Sequence, residues 1–186
     1  GRFEYLGEHT CSSANLVPGV QGCTYGCLGI GDCVRACKYD AIHIVNGLAK
    51  VDYEKCIGCK ACAKACPRKI ITMVPFKSDR VLVVACSNLD FGPDVKKVCS
   101  TGCIGCKACS RKCELFTMNE NLPVLNYDQY ELEMDLGPVL EKCPMKSLVY
   151  VGKPTPEDKA AVKGEEVPAL VKADFETTVD KTDWWG

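Results

Sequence analysis

The chain has 186 residues, enough for one or two small domains, and 16 of them are cysteines. Its 23 basic and 24 acidic residues give a formal charge of −1, without the basic excess that nucleic-acid-binding domains carry. The longest apolar run, residues 81–86, is far shorter than the roughly 20 residues that a bilayer span needs. Composition therefore argues against a nucleic-acid partner and against a membrane span in this chain.

Residues 1–22 form an N-terminal lead segment with one cysteine, Cys11. The first cysteine run follows over residues 23–37, with the spacing Cys-x3-Cys-x5-Cys-x3-Cys and three glycines that give its loop backbone freedom. The spacing is looser than in common ferredoxin motifs, and Lys38 stands where a proline is usual.

Short strands are expected on both sides of the second cysteine run. Apolar alternation over residues 41–45 and 48–51, divided by the turn dipeptide Asn46-Gly47, predicts a β-hairpin. Residues 70–74, which are ended by Pro75, predict one more short strand.

The second run, residues 56–67, reads Cys-x2-Cys-x2-Cys-x3-Cys-Pro, which is the full bacterial iron–sulfur motif. Residues 23–75 are therefore predicted to form a two-cluster ferredoxin module. In such modules the fourth cysteine of each run ligates the cluster of the other run. This crossed rule assigns one [4Fe–4S] cluster to Cys23, Cys27, Cys33 and Cys66, and a second to Cys56, Cys59, Cys62 and Cys37.

Residues 76–151 are predicted to form a second, degenerate ferredoxin module. Residues 121–127 align with 47–53 of the first module, but Tyr130 then stands in the place of Cys56. No cysteine follows until Cys143-Pro144, after which residues 147–151 predict a closing strand. The crossed rule still gives a third cluster, held by Cys103, Cys106, Cys109 and Cys143.

Four cysteines remain: Cys11, Cys86, Cys99 and Cys113. They are either ligands of a fourth cluster or buried free thiols left in a degenerate repeat. A disulfide between Cys86 and Cys99 is disfavoured, because iron–sulfur proteins belong to reducing compartments.

The segment 152–186 is predicted to be an extended polar tail that carries Trp184 and Trp185. These tryptophans would either dock onto a partner or fold back onto the ferredoxin body. Neither histidine, His9 nor His43, is expected to be a ligand, and no catalytic set or phosphate-binding loop is present. The chain is thus expected to have no substrate site of its own, which leaves open whether it is an enzyme.

Residues 1–7 (Gly-Arg-Phe-Glu-Tyr-Leu-Gly), 23–37 and 99–106 together resemble the B subunit of Rnf electron-transport complexes in its polyferredoxin form, over about residues 1–150. The resemblance implies an iron–sulfur subunit at the cytoplasmic face of a membrane complex that couples ferredoxin and NAD oxidoreduction to ion transport. It also implies ferredoxin and flavoprotein or NAD-linked subunits as partners. The chain departs from the family where it has Gly1 in place of a cysteine, in its lost three-cysteine loop, and in its tail. It also starts after the region where the family has a membrane helix and a further cluster domain.

We therefore expect an α+β fold of tandem ferredoxin-like modules, with short strands and helices wrapped around [4Fe–4S] clusters and an extended C-terminal tail. Three clusters are expected, or four if the remaining cysteines bind one. The expected function is to relay single electrons within a larger, Rnf-like redox complex. One alternative is a free-standing, diffusible polyferredoxin, and a more remote one is a zinc-ribbon interaction module.

Overall fold

The computed structural model describes residues 5–131 and 134–153. Within these ranges lie six short helices: α1 Cys11–Asn15, α2 Asp32–Arg35, α3 Ala61–Ala65, α4 Gly92–Val98, α5 Ala108–Lys112 and α6 Gly137–Glu141. The six strands are β1 Ile42–Val45, β2 Leu48–Val51, β3 Arg80–Val84, β4 Phe116–Asn119, β5 Leu122–Leu125 and β6 Leu148–Gly152. The predicted α+β mixture of small helices and strands is confirmed.

The strands form three antiparallel pairs. β1 pairs with β2 and β4 with β5 as hairpins, whereas β3 pairs with β6 across most of the second half. The predicted hairpin is confirmed, and Asn46 and Gly47 at its turn have φ values of 52° and 70°. Positive φ at both central residues is the requirement of the type I′ turn that suits twisted antiparallel strands.

The strand predicted over residues 70–74 is wrong, because this segment has no strand conformation. Its counterpart in the second half, β6, is a strand through its hydrogen bonds to β3. In the described part of the first half no strand occupies the position equivalent to β3. Without a partner to satisfy its backbone groups, the apolar segment 70–74 stays irregular.

The second half contains the larger hydrophobic core. Its buried side chains come from β3, the β4–β5 hairpin, α6 and the loop around Tyr130, which is only 6% exposed. Cys113 packs against this core. The buried members are Val81, Leu82, Leu115, Phe116, Leu125, Tyr130, Leu136, Val139 and Leu148.

The core of the first half is much smaller. Its buried members are Cys33, Ile42 and Ile44, with Cys37 and Cys62 packed against them. A unit of this size rarely folds on apolar burial alone, and small domains compensate with metals or disulfides. The sulfur atoms of the first half therefore lie where a larger protein would place its core.

None of the helices in residues 5–131 and 134–153 is long and apolar enough to cross a membrane. The predicted tail begins at Gly152, which ends β6, and only Gly152 and Lys153 of it belong to the described residues. Trp184 and Trp185 lie outside the described part of the chain.

We predict that Leu82→Ala lowers the free energy of unfolding of the second half by about 2 to 5 kcal/mol, because Leu82 is fully buried in the core. Leu48→Ala is the matched control, since Leu48 is 54% exposed on β2, and it should change the free energy by no more than about 0.5 kcal/mol. Denaturant titration under anaerobic conditions measures both. Equal effects of the two substitutions would contradict the burial of Leu82 in the core of the second half.

Candidate iron–sulfur centres

The two regular cysteine loops follow the same backbone path. Gly58 and Lys60 have φ values of 71° and 64°, and Gly105 and Lys107 have values of 65° and 59°. A lysine with positive φ is uncommon, so its recurrence at equivalent positions marks a shared and constrained turn. Each turn curls the loop around its middle cysteine and then starts a short helix, α3 or α5.

The first run bends in the same way although its spacing differs. Gly29 and Gly31 have φ values of 72° and 97°, and α2 begins directly after Gly31. The residue between them is Ile30, which therefore takes the place held by Cys59 and Cys106 in the other loops. The first loop has lost its middle thiol, which its looser spacing did not reveal.

Two of the bent loops lie in close contact with the turns of the hairpins. A Cβ added at Gly29 would lie 2.5 Å from the carbonyl oxygen of Gly47, and one at Gly105 would lie 2.9 Å from that of Asn121. Both contacts are closer than real side chains tolerate, so glycine is required at these two positions for steric reasons. Each hairpin therefore fixes the position of a cysteine loop.

The third predicted ligand set lies around one small cavity. Its wall includes Cys103, Cys106, Cys109 and Cys143, and α5 packs against α6 beside it. The backbone N–H of Ser147 donates a hydrogen bond to the Sγ of Cys143 at 3.3 Å. Four thiols around one cavity, with an N–H group directed at sulfur, are the donor set of a [4Fe–4S] cluster, so these residues fit the group.

The second predicted set is assembled by the packing of α2 against α3. Cys37 and Cys62 pack on the same small core, and with Cys56 and Cys59 they line part of a large cavity. The N–H of Ala41 donates to the Cys37 Sγ at 3.5 Å. Burial raises the pKa of the Cys62 thiol, and the nearby thiols of Cys56 and Cys37 add to the shift.

The first predicted set is only partly brought together. Burial raises the pKa of the Cys33 thiol to about 12, and the neighbouring thiols of Cys27 and then Cys11 add to the shift. Cys11 is placed there by Asp32, whose carboxylate accepts hydrogen bonds from the N–H groups of Cys11 and Ser12 at 2.9 and 3.2 Å. Cys11 thus lies near Cys33, a predicted ligand of the first cluster.

Asp32 is the residue that joins the lead segment to α2. Burial alone would raise the pKa of its carboxyl, but the N–H groups of Cys11 and Ser12, the guanidinium of Arg35 and the Ser12 hydroxyl together lower it below the usual value. The carboxylate therefore stays ionised at neutral pH and holds the N-terminus of α1 against α2. Sequence motifs gave no signal for this contact, because it joins residues 21 positions apart.

Cys66 and Cys23 differ in their surroundings. Arg68, which follows the Cys66-Pro67 step, donates to the carbonyl oxygens of Cys23 and Gly26 at 3.0 and 2.7 Å, so the Cys66 segment lies against the first loop. The Cys23 sulfur itself accepts a hydrogen bond from the side-chain amide of Asn88 at 3.4 Å. The Cys23 side chain thus reaches a residue of the second half.

A common turn follows three of the cysteines that end a run. The third residue after each of them has positive φ, and in two cases the next N–H donates to the sulfur. The pairs are Cys37 with Asp40, Cys66 with Lys69, and Cys143 with Lys146, and the φ values are 49°, 52° and 50°.

Cys113 does not follow this rule. The third residue after it is Phe116, which starts β4 and is buried in the hydrophobic core. No N–H···S bond to Cys113 is present among those of the described residues. The structure therefore gives Cys113 the environment of a half-buried core thiol.

In residues 5–131 and 134–153, no three side chains of His, Cys, Asp or Glu converge closely enough to bind a single metal ion. Most of the cysteines instead line two cavities that several of them share, whereas Cys11, Cys33, Cys66 and Cys113 line neither. Cys86 and Cys99 also line the large cavity, together with Cys23 and the buried Asn88, for which the sequence gave no signal.

The chain is similar in sequence to known iron–sulfur and oxidoreductase-complex proteins. Residues 49–72 match the model of the 4Fe-4S binding domain family. Over 161 residues the chain is 42% identical to the B subunit of the Na⁺-translocating ferredoxin:NAD⁺ oxidoreductase complex of Acetobacterium woodii, covering 83% of this chain and 47% of that protein. The resemblance to the Rnf B subunit is confirmed.

Two further Rnf-type B subunits match over shorter stretches. That of the proton-translocating complex of Clostridium ljungdahlii is 39% identical over 102 residues, which is 54% of this chain and 35% of that protein. That of the ion-translocating complex of Methanosarcina acetivorans is 35% identical over 103 residues, which is 54% of this chain and 38% of that protein. The chain thus spans less than half the length of each of these relatives. By their names these relatives are subunits of oxidoreductase complexes, and the family match over residues 49–72 indicates 4Fe-4S binding in this chain.

We predict that Cys143→Ala removes about four irons per chain, since Cys143 would close the third cluster. Cys113→Ala is the matched control and should leave the iron content unchanged, because Cys113 does not line the cavity that Cys103, Cys106, Cys109 and Cys143 share. Iron and acid-labile sulfide analysis of anaerobically purified protein measures both. Iron loss in the control instead of Cys143→Ala would refute the assignment.

Proposed function

We propose that this chain relays single electrons between low-potential ferredoxin-type carriers and flavin- or NAD-linked subunits of an Rnf-like complex. The observation that carries this proposal is the grouping of cysteines around shared cavities, without a catalytic set beside them in the described residues. Bound there, [4Fe–4S] clusters would supply one-electron chemistry. The protein's part is to hold the thiolates, donate N–H groups to sulfur and limit access of water.

The proposed ligand sets follow the crossed rule. Two ferredoxin modules, residues 23–75 and 76–151, would hold them. The second cluster would bind Cys56, Cys59, Cys62 and Cys37, and the third Cys103, Cys106, Cys109 and Cys143. For the first cluster, Cys27, Cys33 and Cys66 are three ligands, and Cys23 and Cys11 are the candidates for the fourth.

The partners are proposed from the relatives. The B subunits of Acetobacterium woodii and Clostridium ljungdahlii bear the name ferredoxin:NAD⁺ oxidoreductase, which supports a ferredoxin on one side and an NAD-linked subunit on the other. Their translocating complexes support a location at the cytoplasmic face of a membrane, with this chain held by its partners.

The motif chemistry supports iron–sulfur clusters over zinc. A zinc ribbon uses two Cys-x2-Cys pairs for one ion, whereas three evenly spaced cysteines with a distant Cys-Pro are the pattern of cuboidal clusters. The family match over residues 49–72 covers this pattern at Cys56–Cys66.

We expect each fourth cysteine to serve the neighbouring run's cluster. Cys66→Ala should damage the cluster of the Cys27–Cys33 loop, and Cys37→Ala the cluster of the Cys56–Cys62 loop, because α2 packs against α3 and the crossed rule gives the fourth cysteine of each run to the other run's cluster. Electron paramagnetic resonance of the reduced variants should show two different losses. Cys59→Ala identifies the signal of the Cys56–Cys62 loop, and loss of that same signal in Cys66→Ala would contradict crossed ligation.

The relay itself is tested by redox titration and by mixing with reduced ferredoxin. We expect the visible absorption of the protein to bleach on mixing, and the midpoint potentials to lie near or below that of NADH. Potentials that all lie well above NADH would rule out a ferredoxin-coupled role. Transfer to a diffusible acceptor, with no association with membranes or flavoprotein subunits, would favour the free-standing polyferredoxin instead.

A further inference from the structure

Several cysteines of the chain are not ligands of the three proposed clusters. Because Ile30 replaces the middle cysteine of the first loop, that loop needs a thiol from elsewhere, and the Asp32 carboxylate holds Cys11 against α2, the helix that carries Cys33. If Cys11 fills this position, Cys23 becomes free for another role. The unused cysteines are then Cys23, Cys86, Cys99 and Cys113.

Hydrogen bonds and short contacts bring three of these four together. Cys23, Cys86 and Cys99 line the large cavity, as do the ligands of the proposed second cluster, and Cys113 does not. The N–H of Cys103 donates to the Cys86 sulfur at 3.3 Å. Gly102 precedes Cys103, and a Cβ added at Gly102 would lie 3.3 Å from the Cys99 sulfur. The sulfur atoms of Cys86 and Cys99 therefore flank the Gly102–Cys103 step.

Asn88 links the third member of the set to the others. Its side-chain N–H donates to the Cys23 sulfur at 3.4 Å, and its backbone N–H donates to the Cys86 sulfur at 3.5 Å. The amide is oriented by a second bond, in which its carbonyl oxygen accepts from the Asp90 N–H at 2.7 Å. Asn88 is only 2% exposed, so its side-chain amide is buried beside the Cys23 sulfur and its backbone N–H beside the Cys86 sulfur.

A buried residue whose side-chain and backbone N–H groups each donate to a different sulfur is an arrangement suited to thiolates. Neutral thiols are weak hydrogen-bond acceptors and compensate little for the burial of an N–H group. Metal-bound thiolates accept such hydrogen bonds strongly. Hydrogen bonds to sulfur are also a main means by which a protein tunes an iron–sulfur cluster. The surroundings of Cys23 and Cys86 therefore match those of cluster-ligating thiolates.

We propose that Cys23, Cys86 and Cys99 bind an additional cuboidal iron–sulfur cluster between the two halves of the chain, and that Cys11 replaces Cys23 as the fourth ligand of the first cluster. The proposal rests on the proposed cluster-binding function. Only three thiolates serve the additional cluster, so one of its corners lacks a cysteine ligand. Cys23 comes from the first half and the other two from the second, so this cluster joins the halves through its metal–sulfur bonds.

The test compares single alanine variants of the full chain, purified anaerobically, by iron and sulfide content and by resonance spectra of the reduced state. Cys23→Ala, Cys86→Ala and Cys99→Ala should each lose about three to four irons and the same spectral component. Cys11→Ala should lose the component that Cys66→Ala loses. Cys113→Ala is the matched control and should lose nothing. If Cys23→Ala instead removes the Cys66-dependent component, or Cys86→Ala and Cys99→Ala retain all iron, the proposal is overturned.

Asn88→Ala keeps the test decisive if a cysteine variant fails to fold. It should leave the iron content unchanged and lower the midpoint potential of one component, the one lost in Cys86→Ala, because an N–H group that stabilises the reduced cluster is gone. Unshifted potentials in Asn88→Ala would overturn the proposed role of this amide and the additional cluster with it. Failure of the proposed cluster-binding function would give a different result, because the ligand sets that contain Cys56 and Cys103 would then lack iron as well.

Discussion

The paired positive-φ positions in each cysteine loop are the constraint on which the rest of the structure depends. A short helix starts immediately after each pair, and the loops that contain Gly29 and Gly105 also lie against a hairpin turn. In two loops the second position is a lysine, Lys60 or Lys107, which adopts a backbone conformation that an L-residue normally avoids. Metal–thiolate bonds are a sufficient reason for such a turn to persist.

The two halves of the chain use this loop in different structural settings. In the first half the buried apolar set is Cys33, Ile42 and Ile44, so sulfur atoms occupy the interior. In the second half Tyr130 replaces a cysteine of the repeat, and it lies in a core of nine buried residues. Apolar burial there takes over the stabilising role that a further cluster would have had. Cys113, which by the crossed rule would ligate the cluster of that lost cysteine loop, packs against this core.

Local features of the chain were predictable, whereas those that depend on long-range contacts were not. The hairpin with Asn46-Gly47 and the cysteine runs were predictable because local turn chemistry and motif spacing determine them. The strand over residues 70–74 was predicted wrongly, because its apolar pattern carries no information about a missing partner strand. The position of Cys11 beside Cys33 and the role of Asn88 depend on hydrogen bonds across 21 and 65 residues, which no local pattern encodes.

The backbone conformation of the loops supplies what spacing could not. The spacing of the first run suggested three loop ligands, with Cys23 as the first of them. The φ values instead align Gly29 and Gly31 with Gly105 and Lys107, which puts Ile30 at the middle ligand position. The irregular spacing is therefore explained as a regular loop with one thiol moved to another segment of the chain.

The most direct measurement is X-ray diffraction at the iron absorption edge from crystals of the anaerobically purified chain. We expect anomalous density for cuboidal clusters at four places: within the sets of Cys27 and Cys33, of Cys56 and Cys62, of Cys103 and Cys143, and between Cys23, Cys86 and Cys99. The Cys11 sulfur should lie next to the first of these densities, and the Cys23 sulfur should not. Single-ion peaks, or no iron density within the sets of Cys56 and Cys103, would contradict the assignment of this chain as an iron–sulfur relay.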